Sequence, residues 1–553
     1  MKNANDKLFN FRPAFFAAVF LCFGIVFAYL RSFFGVSVWW LAVCLPLAVA
    51  PFCFCRSRRY ALKIAQALFL LFISFAIGHS AFLLNVQSYA DCGVYNAQTE
   101  MIGKVVQIER FDGYARLILE EPYIGKTQEE GRLVAYMPAS FCKNVRLSDK
   151  VLLLGYVETD VDCFGEYGFR AQDIRERVRY SVSQVDSCIV VGYETDVFLA
   201  MRQRMKTVTY AGMDDEAAAV TLAVLTGDTS GIDRGLLTNI RMGGIAHVFA
   251  VSGLHIGSLY AFCLLLMQKT KLKNAPAPVR FFLTAAILIF YTGVCGFSSS
   301  SLRATVICLV AYAAKALGLE TDLLDSLGVA AIVILLLSPT ALFEVGFQLS
   351  FAACLGLALL SRPIGKTLDS GCDIVKKVWI RLWRLENKAR PNPKRKDEDM
   401  PEGVGARIRR ACVSFLGASL AAQIATAPIL LNAFGYLSGW ALLLNCLFVP
   451  LISGLFATLL LFVAVACVLP TAFSTVILYL PSVVWSALLL LFYAVDFSTF
   501  VFTGVKISGV GSLCYYSGWQ FLSDKWNISK KEKTAYALAC FLTFVITVYA
   551  LNV

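Results

Sequence analysis

The run SGWALLLNCLFVPLISGLFATLLLFVAVACVL, residues 438–469, contains no charged side chain and decides the class of this protein. About twenty consecutive apolar residues let a helix cross the hydrocarbon core of a bilayer. This run is longer than one crossing and contains Pro450, which removes a helical hydrogen bond. The run therefore predicts membrane insertion, either as one long span or as two half-helices.

Other apolar runs recur along the chain, which has 553 residues, 58% of them hydrophobic and 16% charged. Soluble domains are about a quarter charged. The sequence predicts a polytopic α-helical membrane protein with about 11–13 spans. The first run is followed by a second apolar run and by no A-x-A-like cleavage site, which indicates a retained anchor. The other spans are expected near residues 14–30, 33–53, 61–84, 247–267, 281–297, 302–318, 326–342, 345–361, 411–433, 473–497 and 533–552.

Residues 85–195 interrupt the apolar pattern. Runs such as IGKVVQIER and VLLLGYVE alternate in polarity and are separated by Gly, Asp and Pro, which is typical of half-buried strands. The segment predicts an inserted extracytoplasmic small β-barrel, and an OB-like barrel fits its length as any small barrel does. Its net charge is −5, which is a poor electrostatic match for DNA.

Five segments follow from these patterns. They are three N-terminal transmembrane helices (1–84), an extracytoplasmic OB-like β domain (85–195), amphipathic connecting helices (196–245), a transmembrane channel domain with a cytoplasmic loop at 362–410 (246–505), and a C-terminal segment with a final transmembrane helix (506–553).

Basic residues assign the orientation of these segments. Cytoplasmic loops of membrane proteins carry an excess of Lys and Arg. The N-terminus, the RSRR piece at 56–59 and the loop 362–410, with a net charge of +7, are therefore expected in the cytoplasm. The same rule explains the net charge of +12 without nucleic-acid binding. We expect a multi-pass protein of the cytoplasmic (inner) membrane, with the side of the C-terminus left open.

Metal and cofactor sites are not expected. No Cys-x-x-Cys pair and no His-x-His occurs, and most of the 18 cysteines lie in apolar runs. Cys142 and Cys163 fall on the oxidising side of the membrane, where they predict either a disulfide or two thiols.

The stretch GGIAHVFAVSGLHIGSLY, residues 243–260, holds two of the three histidines. On an unbroken helix His247 and His255 lie about 12 Å apart, too far to ligate one ion. Ser252 and His255 share a helix face. Polar groups at membrane depth are costly and usually face a bundle interior or a wet cavity. This stretch predicts either a water-lined path or a pair of structural histidines bonded to neighbouring helices.

Further polar residues stand in or beside the expected spans. Asp228 has the character of a cap residue, and Arg303 is either a snorkelling anchor or a functional residue. Gln348 and Ser350 allow helix–helix hydrogen bonds as the alternative to a pore lining. A series of uncharged polar groups over several spans favours a polar conduit. The candidate path residues are Asp228, His247, Ser252, His255, Arg303, Gln348, Ser350, Gln423 and Asn445.

The motifs resemble one known family. LTGD (225–228), IAHVFAVSGLHIG (245–257), SSLRA (300–304) and SPTALFEVGFQLSFAA (338–353) are similar, in order and spacing, to the ComEC-type competence protein. The resemblance implies a channel that passes single-stranded DNA across the cytoplasmic membrane in natural transformation. It also implies an external DNA receptor and a cytoplasmic DNA-dependent ATPase as partners. An external motor agrees with the sequence, in which no G-x-x-x-x-G-K-[ST] nucleotide-binding motif occurs.

Longer members of that family end in a metallo-β-lactamase-like domain. This sequence lacks its His-x-His-x-Asp-His motif, so we expect a short form that is not an enzyme and works with a separate nuclease, if any. Two alternatives remain open. One is an intramembrane serine hydrolase that uses Ser252 as nucleophile, and the other is a transporter for a small anionic solute.

Overall fold

The computed structural model describes residues 12–34, 58–90, 95–110, 113–129, 131–142, 145, 149–159, 178–193, 196–249, 251–318, 322–386, 404–522 and 530–552. The chain divides into two compact units. The sheet unit comprises Pro13–Thr207 and Asn274–Phe347, and the helical unit comprises Val208–Lys273 and Gln348–Val553 together with Met1–Arg12. Both units are discontinuous in sequence.

The sheet unit contains five α-helices and six strands among its described residues. They are α1 (Pro13–Phe34), α2 (Arg58–Ala90), β1 (Asn96–Arg110), β2 (Tyr114–Ile124), β3 (Thr127–Gln128), β4 (Arg132–Pro138), β5 (Asp149–Thr159), β6 (Val178–Tyr193), α8 (Ala277–Val294), α9 (Ser299–Ala316) and α10 (Leu323–Leu337). Helix α3 (Val197–Gly212) continues from this unit into the helical unit.

The helical unit is built mainly from helices. They are α4 (Asp215–Thr226), α5 (Arg234–Met242), α6 (Ala246–Phe249), α7 (Gly253–Lys269), α11 (Val345–Glu386), α12 (Val404–Phe434), α13 (Ala441–Val468), α14 (Ser474–Ala494), α15 (Gly509–Leu522) and α16 (Lys530–Asn552), with a short hairpin of β7 (Tyr436–Ser438) and β8 (Val501–Thr503). Helix α11 begins three residues before the boundary between the units.

Seven of the described helices are long and apolar enough to cross a membrane. Their apolar segments are Pro13–Ser32, Gln66–Gln87, Ala277–Val294, Val345–Asp369, Cys412–Phe434, Ala441–Val468 and Thr471–Leu490. The chain is therefore a mostly helical, multi-pass membrane protein, as the composition predicts. Most of the span expected at 33–53 lies outside the described residues. The spans expected at 302–318 and 326–342 correspond to α9, which carries Arg303 and Lys315, and to the 15-residue α10, neither of which is among the seven.

The apolar run that contains Pro450 is a single helix, α13, of 28 residues. The alternative of two half-helices is wrong. Proline inside a spanning helix is tolerated because neighbouring side chains can satisfy the carbonyl that it frees. Buried residues recur every three or four positions along one face of α13, at Ala441, Leu444, Phe448, Ile452, Phe456, Leu459, Val463 and Ala466. That spacing, close to 3.6 residues, sets a continuous inner face along the helix.

The strands of the sheet unit pair in a ring. β1 pairs with β2 and β5, β5 with β6, β6 with β4, and β4 with β2, so that each of these five strands has two neighbours. The β4–β6 pair is parallel and the others are antiparallel. Alternate residues of the strands point inward and form one apolar core, in which Met101, Leu117, Leu153 and Tyr180 are fully buried.

The Glu129 carboxylate links the residue before β1 to strand β6. Glu129 accepts hydrogen bonds from the Tyr95 hydroxyl at 2.5 Å and from the Tyr180 hydroxyl at 2.8 Å. The hydrogen bond to Glu129 raises the pKa of the Tyr95 hydroxyl above its ordinary value. Since Tyr95 precedes β1 and Glu129 follows β3, the cluster joins the start of the domain to its centre.

The expected pair of Cys142 and Cys163 is only half described, because Cys163 lies outside the described residues. Cys142 is fully buried in the sheet core, and its Sγ lies 3.4 Å from Sδ of Met137. The disulfide stays a prediction.

Glycines set the closest helix approach in the helical unit. A Cβ at Gly356 on α11 would stand 2.5 Å from the carbonyl oxygen of Ala421 on α12 and 2.5 Å from Cβ of Ala425. Membrane helices lack a hydrophobic driving force for association and depend on such close packing. Gly454, in the middle of α13, has nothing within 4 Å of an added Cβ.

We predict opposite effects for alanine at these two helical glycines. Gly356→Ala lowers the free energy of unfolding by about 1–3 kcal/mol, because the methyl group forces α11 and α12 apart. Gly454→Ala raises it by about 0.5–1 kcal/mol, because alanine is the better helix former and meets no clash. The thermal unfolding midpoint of the full-length chain in detergent measures both. An upward shift for both variants would contradict the packing described here.

Candidate functional site

The stretch that holds both histidines of the motif is not one helix. It folds as the short α6 and then α7, with non-helical backbone at residues 251–252 directly before α7. Gly244, with φ of +74°, turns the chain between α5 and α6, and a Cβ there would stand 2.6 Å from Cβ of Ala441 at the start of α13. The helix expected over 247–267 begins only at Gly253, and the 17-residue α7 is not among the seven candidate spans. Gly244 serves a sharp turn and a close contact with α13.

Ser252 and His255 form the N-terminal cap of α7. The Ser252 hydroxyl accepts from the Leu254 backbone N–H at 3.3 Å, and Nδ1 of His255 accepts from the Ser252 backbone N–H at 3.0 Å. This is a capping box in which histidine takes the place that Glu or Gln usually holds. Because Nδ1 accepts a backbone hydrogen bond, the ring is the neutral tautomer with its proton on Nε2.

The proton on Nε2 of His255 has no acceptor among the described residues. This nitrogen is buried, the side chain is fully buried, and the ring packs against Phe456 of α13 with a centroid separation of 4.8 Å. A buried donor without a partner costs about 1–3 kcal/mol unless water satisfies it. His255 therefore marks a point at which the helical unit needs a water molecule or a polar ligand.

Asn445 and Gln423 present the same situation on neighbouring helices. Oδ1 of Asn445 on α13 and Nε2 of Gln423 on α12 are buried without a hydrogen-bond partner in the described part of the chain. Helix α13 packs against both α12 and α7, so it joins the three helices that carry these atoms. Asn445 lies eleven residues before Phe456, on the same face of α13, which places it about 16 Å along the axis from the level of His255.

Ser419 belongs to this group, although the motif pattern does not single it out. Its hydroxyl is also buried without a partner in the described structure, and it lies four residues before Gln423 on the same face of α12. The spacing of four could have revealed it. Thr426, by contrast, donates its hydroxyl to the carbonyl of Ala422 at 2.9 Å and is satisfied within its own helix.

Of the remaining candidates, Asp228 stabilises a turn, His247 is exposed, and Gln348 and Ser350 are half-buried. Asp228 closes a turn after α4, where its carboxylate accepts from the Ser230 backbone N–H at 3.0 Å. His247 is exposed at the end of α6. Gln348 and Ser350 are half-buried in the first turns of α11, which reaches α12 through Gly356.

Arg303 is buried in the sheet unit and does not snorkel. It is 2% exposed, donates from Nη2 to the carbonyl oxygen of Gly346 at 2.7 Å, and lies 5.9 Å from the centroid of the Phe347 ring. The guanidinium therefore holds the first turn of α11 in place. Phe347 is itself buried.

Comparison with known proteins matches this arrangement to one family. The family model described as "Competence protein" covers residues 224–526, more than half of the chain, and includes every candidate path residue. The chain belongs to the competence protein family. The resemblance of the sequence motifs to the ComEC-type competence protein is thereby confirmed.

One curated relative supports the membership. ComE operon protein 3 of Bacillus subtilis (strain 168) is 28% identical to this chain over 182 residues, which make up 33% of this chain and 23% of the relative. The match thus spans less than a quarter of that relative's length. No solved structure matches the chain. Among the described residues of this family member, no group of three or more His, Cys, Asp and Glu side chains could hold a metal ion.

The capping geometry generates a prediction for Ser252. Ser252→Ala removes the side-chain acceptor of the α7 cap and lowers the free energy of unfolding by about 0.5–2 kcal/mol, while Ser252→Thr retains most of it. Ser258→Ala, one turn into the same helix, is the matched control and changes little. Thermal unfolding of the three variants measures the difference. Equal midpoints for Ser252→Ala and Ser258→Ala would contradict the cap.

Proposed function

We propose that this chain is the channel that carries single-stranded DNA across the cytoplasmic membrane during natural transformation. Membership of the competence protein family and seven candidate spans support a role in DNA uptake. The observation that carries the finer proposal is the set of buried, unpartnered polar atoms on three packed helices, at His255, Gln423 and Asn445.

The transport problem explains why such atoms belong in a DNA channel. A strand carries one negative charge per nucleotide, and hydrocarbon cannot solvate it. The protein has to supply water and weak polar contacts. Tight phosphate binding would stop the strand from moving on, just as tight binding stops an ion from leaving a pore. Neutral donors and acceptors such as an imidazole and two amides meet this demand. Each of these groups has a hydrogen-bond donor or acceptor left over, with which water can bond.

The arrangement described here is the closed form in this proposal. Phe448 and Ile452 are buried on the α13 face between the levels of Asn445 and His255. A strand that passes along this face has to displace them. We place Asp228, His247, Ser252, Gln348 and Ser350 in the motif segments that frame the path, with the cap at Ser252 fixing where α7 begins.

The β domain is an extracytoplasmic OB-type barrel in this proposal. The ring of five paired strands with one parallel pair supports it, because a small Greek-key barrel of the OB type joins its strands in this order. The segment 85–195 has a net charge of −5, so we assign it to assembly or to positioning rather than to electrostatic capture of DNA.

Energy and strand processing come from partners. The printed sequence has no P-loop, which leaves the driving force to a cytoplasmic DNA-dependent ATPase. An external DNA receptor delivers the substrate in this proposal, and a nuclease partner would degrade the second strand. The segment 362–410, expected as a loop, includes the C-terminal part of α11 and the start of α12. Its net charge of +7 assigns it to the cytoplasmic side by the positive-inside rule in this proposal, where it is available to the motor.

Replacing Asn445 with leucine tests the proposal, because it separates transport from stability. Asn445→Leu removes an unpaired buried oxygen, so the thermal midpoint stays the same or rises. DNA entry falls by about tenfold or more, the effect of about 1.4 kcal/mol on the barrier. The control is Leu447→Met, two residues away on the exposed face of α13. Transformation frequency, protein abundance and entry of fluorescent DNA are measured in one strain background.

Two results would contradict the proposal. One is normal transformation in a deletion strain, which would also favour a transporter for a small anionic solute. The other is an Asn445→Leu variant that transforms normally at normal abundance. In the deletion strain, fluorescent DNA is expected to accumulate outside the cytoplasmic membrane and not to enter.

A serine hydrolase is the second candidate, because Oγ of Ser252 lies 3.2 Å from Nδ1 of His255. The same Nδ1 accepts the Ser252 backbone N–H, so its lone pair is not free to take the hydroxyl proton as a general base does. Covalent labelling of the wild-type chain by a fluorophosphonate, lost in Ser252→Ala and kept in Ser258→Ala, would establish the hydrolase instead.

A further inference from the structure

The C-terminal end of β6 differs in character from the rest of the strand. In the first half of β6 the exposed positions are polar, as at Ser183 and Gln184. Toward the end of the strand the exposed positions are apolar, and three consecutive side chains are open to solvent, with exposed fractions of 55% at Ile189, 43% at Val190 and 53% at Val191. Because neighbouring residues of a strand point to opposite faces, this end of β6 is apolar and uncovered on both faces.

The last five residues of β6, 189–193, are called the β6 tip below. In the described structure β6 pairs with β4 only as far as Val182, and beyond that residue it pairs with β5. Tyr193, the last residue of the tip, is 78% exposed, and no charged residue occurs from Ser187 to Tyr193. An exposed apolar segment of this kind, without a charge to protect it, marks a binding surface.

The chain runs from the β6 tip directly to the end of a membrane-crossing helix. Helix α3 begins four residues after Tyr193, and Arg202 of α3 donates from Nε and Nη2 to the carbonyl oxygen of Val294 at 3.0 and 2.7 Å. The Phe198 ring lies against Gly293, where an added Cβ would collide with it. Val294 is the last residue of an apolar segment long enough to cross the bilayer. The start of α3 therefore lies at the membrane surface, and the β6 tip lies within a few residues of it.

Exposed apolar side chains continue the surface of this helix toward the β6 tip. The Phe198 ring contacts Phe290 of α8 and Phe297 just after α8, with centroid separations of 5.7 and 5.5 Å. Phe290, Phe297 and Val197 are all exposed. All these residues belong to the sheet unit, as the β6 tip does. The lipid-facing surface of α8 thus extends across the start of α3 to the end of the strand.

We propose that the β6 tip inserts into the lipid headgroup region of the leaflet on the side of the β domain. Ile189, Val190 and Val191 enter the boundary between headgroups and acyl chains, and Tyr193 lies at the level of the headgroups, where tyrosine is enriched in membrane proteins. Lipid then covers both faces of the strand end and fixes the β domain against the bilayer. This attachment is independent of DNA transport.

A lipid surface fits the β6 tip better than a second copy of the chain does, because the apolar surface of the tip continues that of a membrane-crossing helix. The tip itself is uncharged, and the acidic Glu194 and Asp196 follow it. The attachment therefore depends on apolar contact with the bilayer and not on anionic headgroups.

Quenching by labelled lipid tests this attachment in the full-length chain. In a background without native cysteines, Val191→Cys and Gln184→Cys carry an environment-sensitive fluorophore and are reconstituted in nanodiscs of phosphatidylethanolamine and phosphatidylglycerol that contain nitroxide-labelled lipid. The label at position 191 is expected to emit at shorter wavelength and to be quenched severalfold more than the label at position 184, which lies in the exposed polar part of the same strand. A change in the fraction of phosphatidylglycerol leaves both signals unchanged.

A charge placed in the β6 tip gives a second measurement. Ile189→Asp in the labelled Val191→Cys protein lowers the quenching at position 191, because a carboxylate is costly to bury in the acyl boundary, whereas Ser183→Asp leaves the quenching unchanged. Both substituted positions are exposed, so neither variant alters the barrel core. Equal quenching at positions 191 and 184 would overturn the proposal. Cross-linking of two copies through position 191, without quenching by lipid, would assign the β6 tip to a second copy and overturn it as well.

Discussion

The cost of an unpaired polar atom inside a membrane-embedded helix bundle is the constraint on which the helical unit depends. Some polar groups avoid this cost by bonding within their own helix. Thr426 donates to a carbonyl of α12, and Ser252 accepts from a backbone N–H at the start of α7. Nε2 of His255, Oδ1 of Asn445 and Nε2 of Gln423 do not bond in this way. They are among the buried polar atoms of the described helical unit that lack a hydrogen-bond partner, as the Ser419 hydroxyl is, and water along α13 is the explanation that our proposal gives for them.

The cap at Ser252 connects this constraint to the motif. A helix that starts within the bundle exposes its first N–H groups, and these need acceptors. Ser252 supplies one acceptor and Nδ1 of His255 supplies another, so the S-G-L-H sequence is a structural solution to beginning α7 at this depth. The same solution orients Nε2 toward the neighbouring helix. One histidine thereby fixes the local fold and presents a polar atom to the interior.

Sequence analysis predicts the membrane class, the inserted β segment and the family, because hydropathy and motif order are local properties. It misjudges what depends on neighbours. Pro450 does not divide α13, since the surrounding bundle tolerates it. The motif stretch turns at Gly244, which packs against Ala441, and is non-helical again at residues 251–252 before α7. Arg303 has the sequence context of an anchor but is buried against Gly346. Ser419 is not predicted, because its only signal in the sequence is the spacing of four residues to Gln423.

Water access to the inner face of α13 is the most direct test of the central claim. In a background without native cysteines, Asn445→Cys and Gln423→Cys are treated with a membrane-impermeant, negatively charged thiol reagent, and Leu447→Cys on the exposed face of α13 is the control at the same depth. The account predicts modification at positions 445 and 423 and protection by lipid at position 447. Protection at 445 and 423, with an exposed loop cysteine fully modified, would show a dry interior and contradict it.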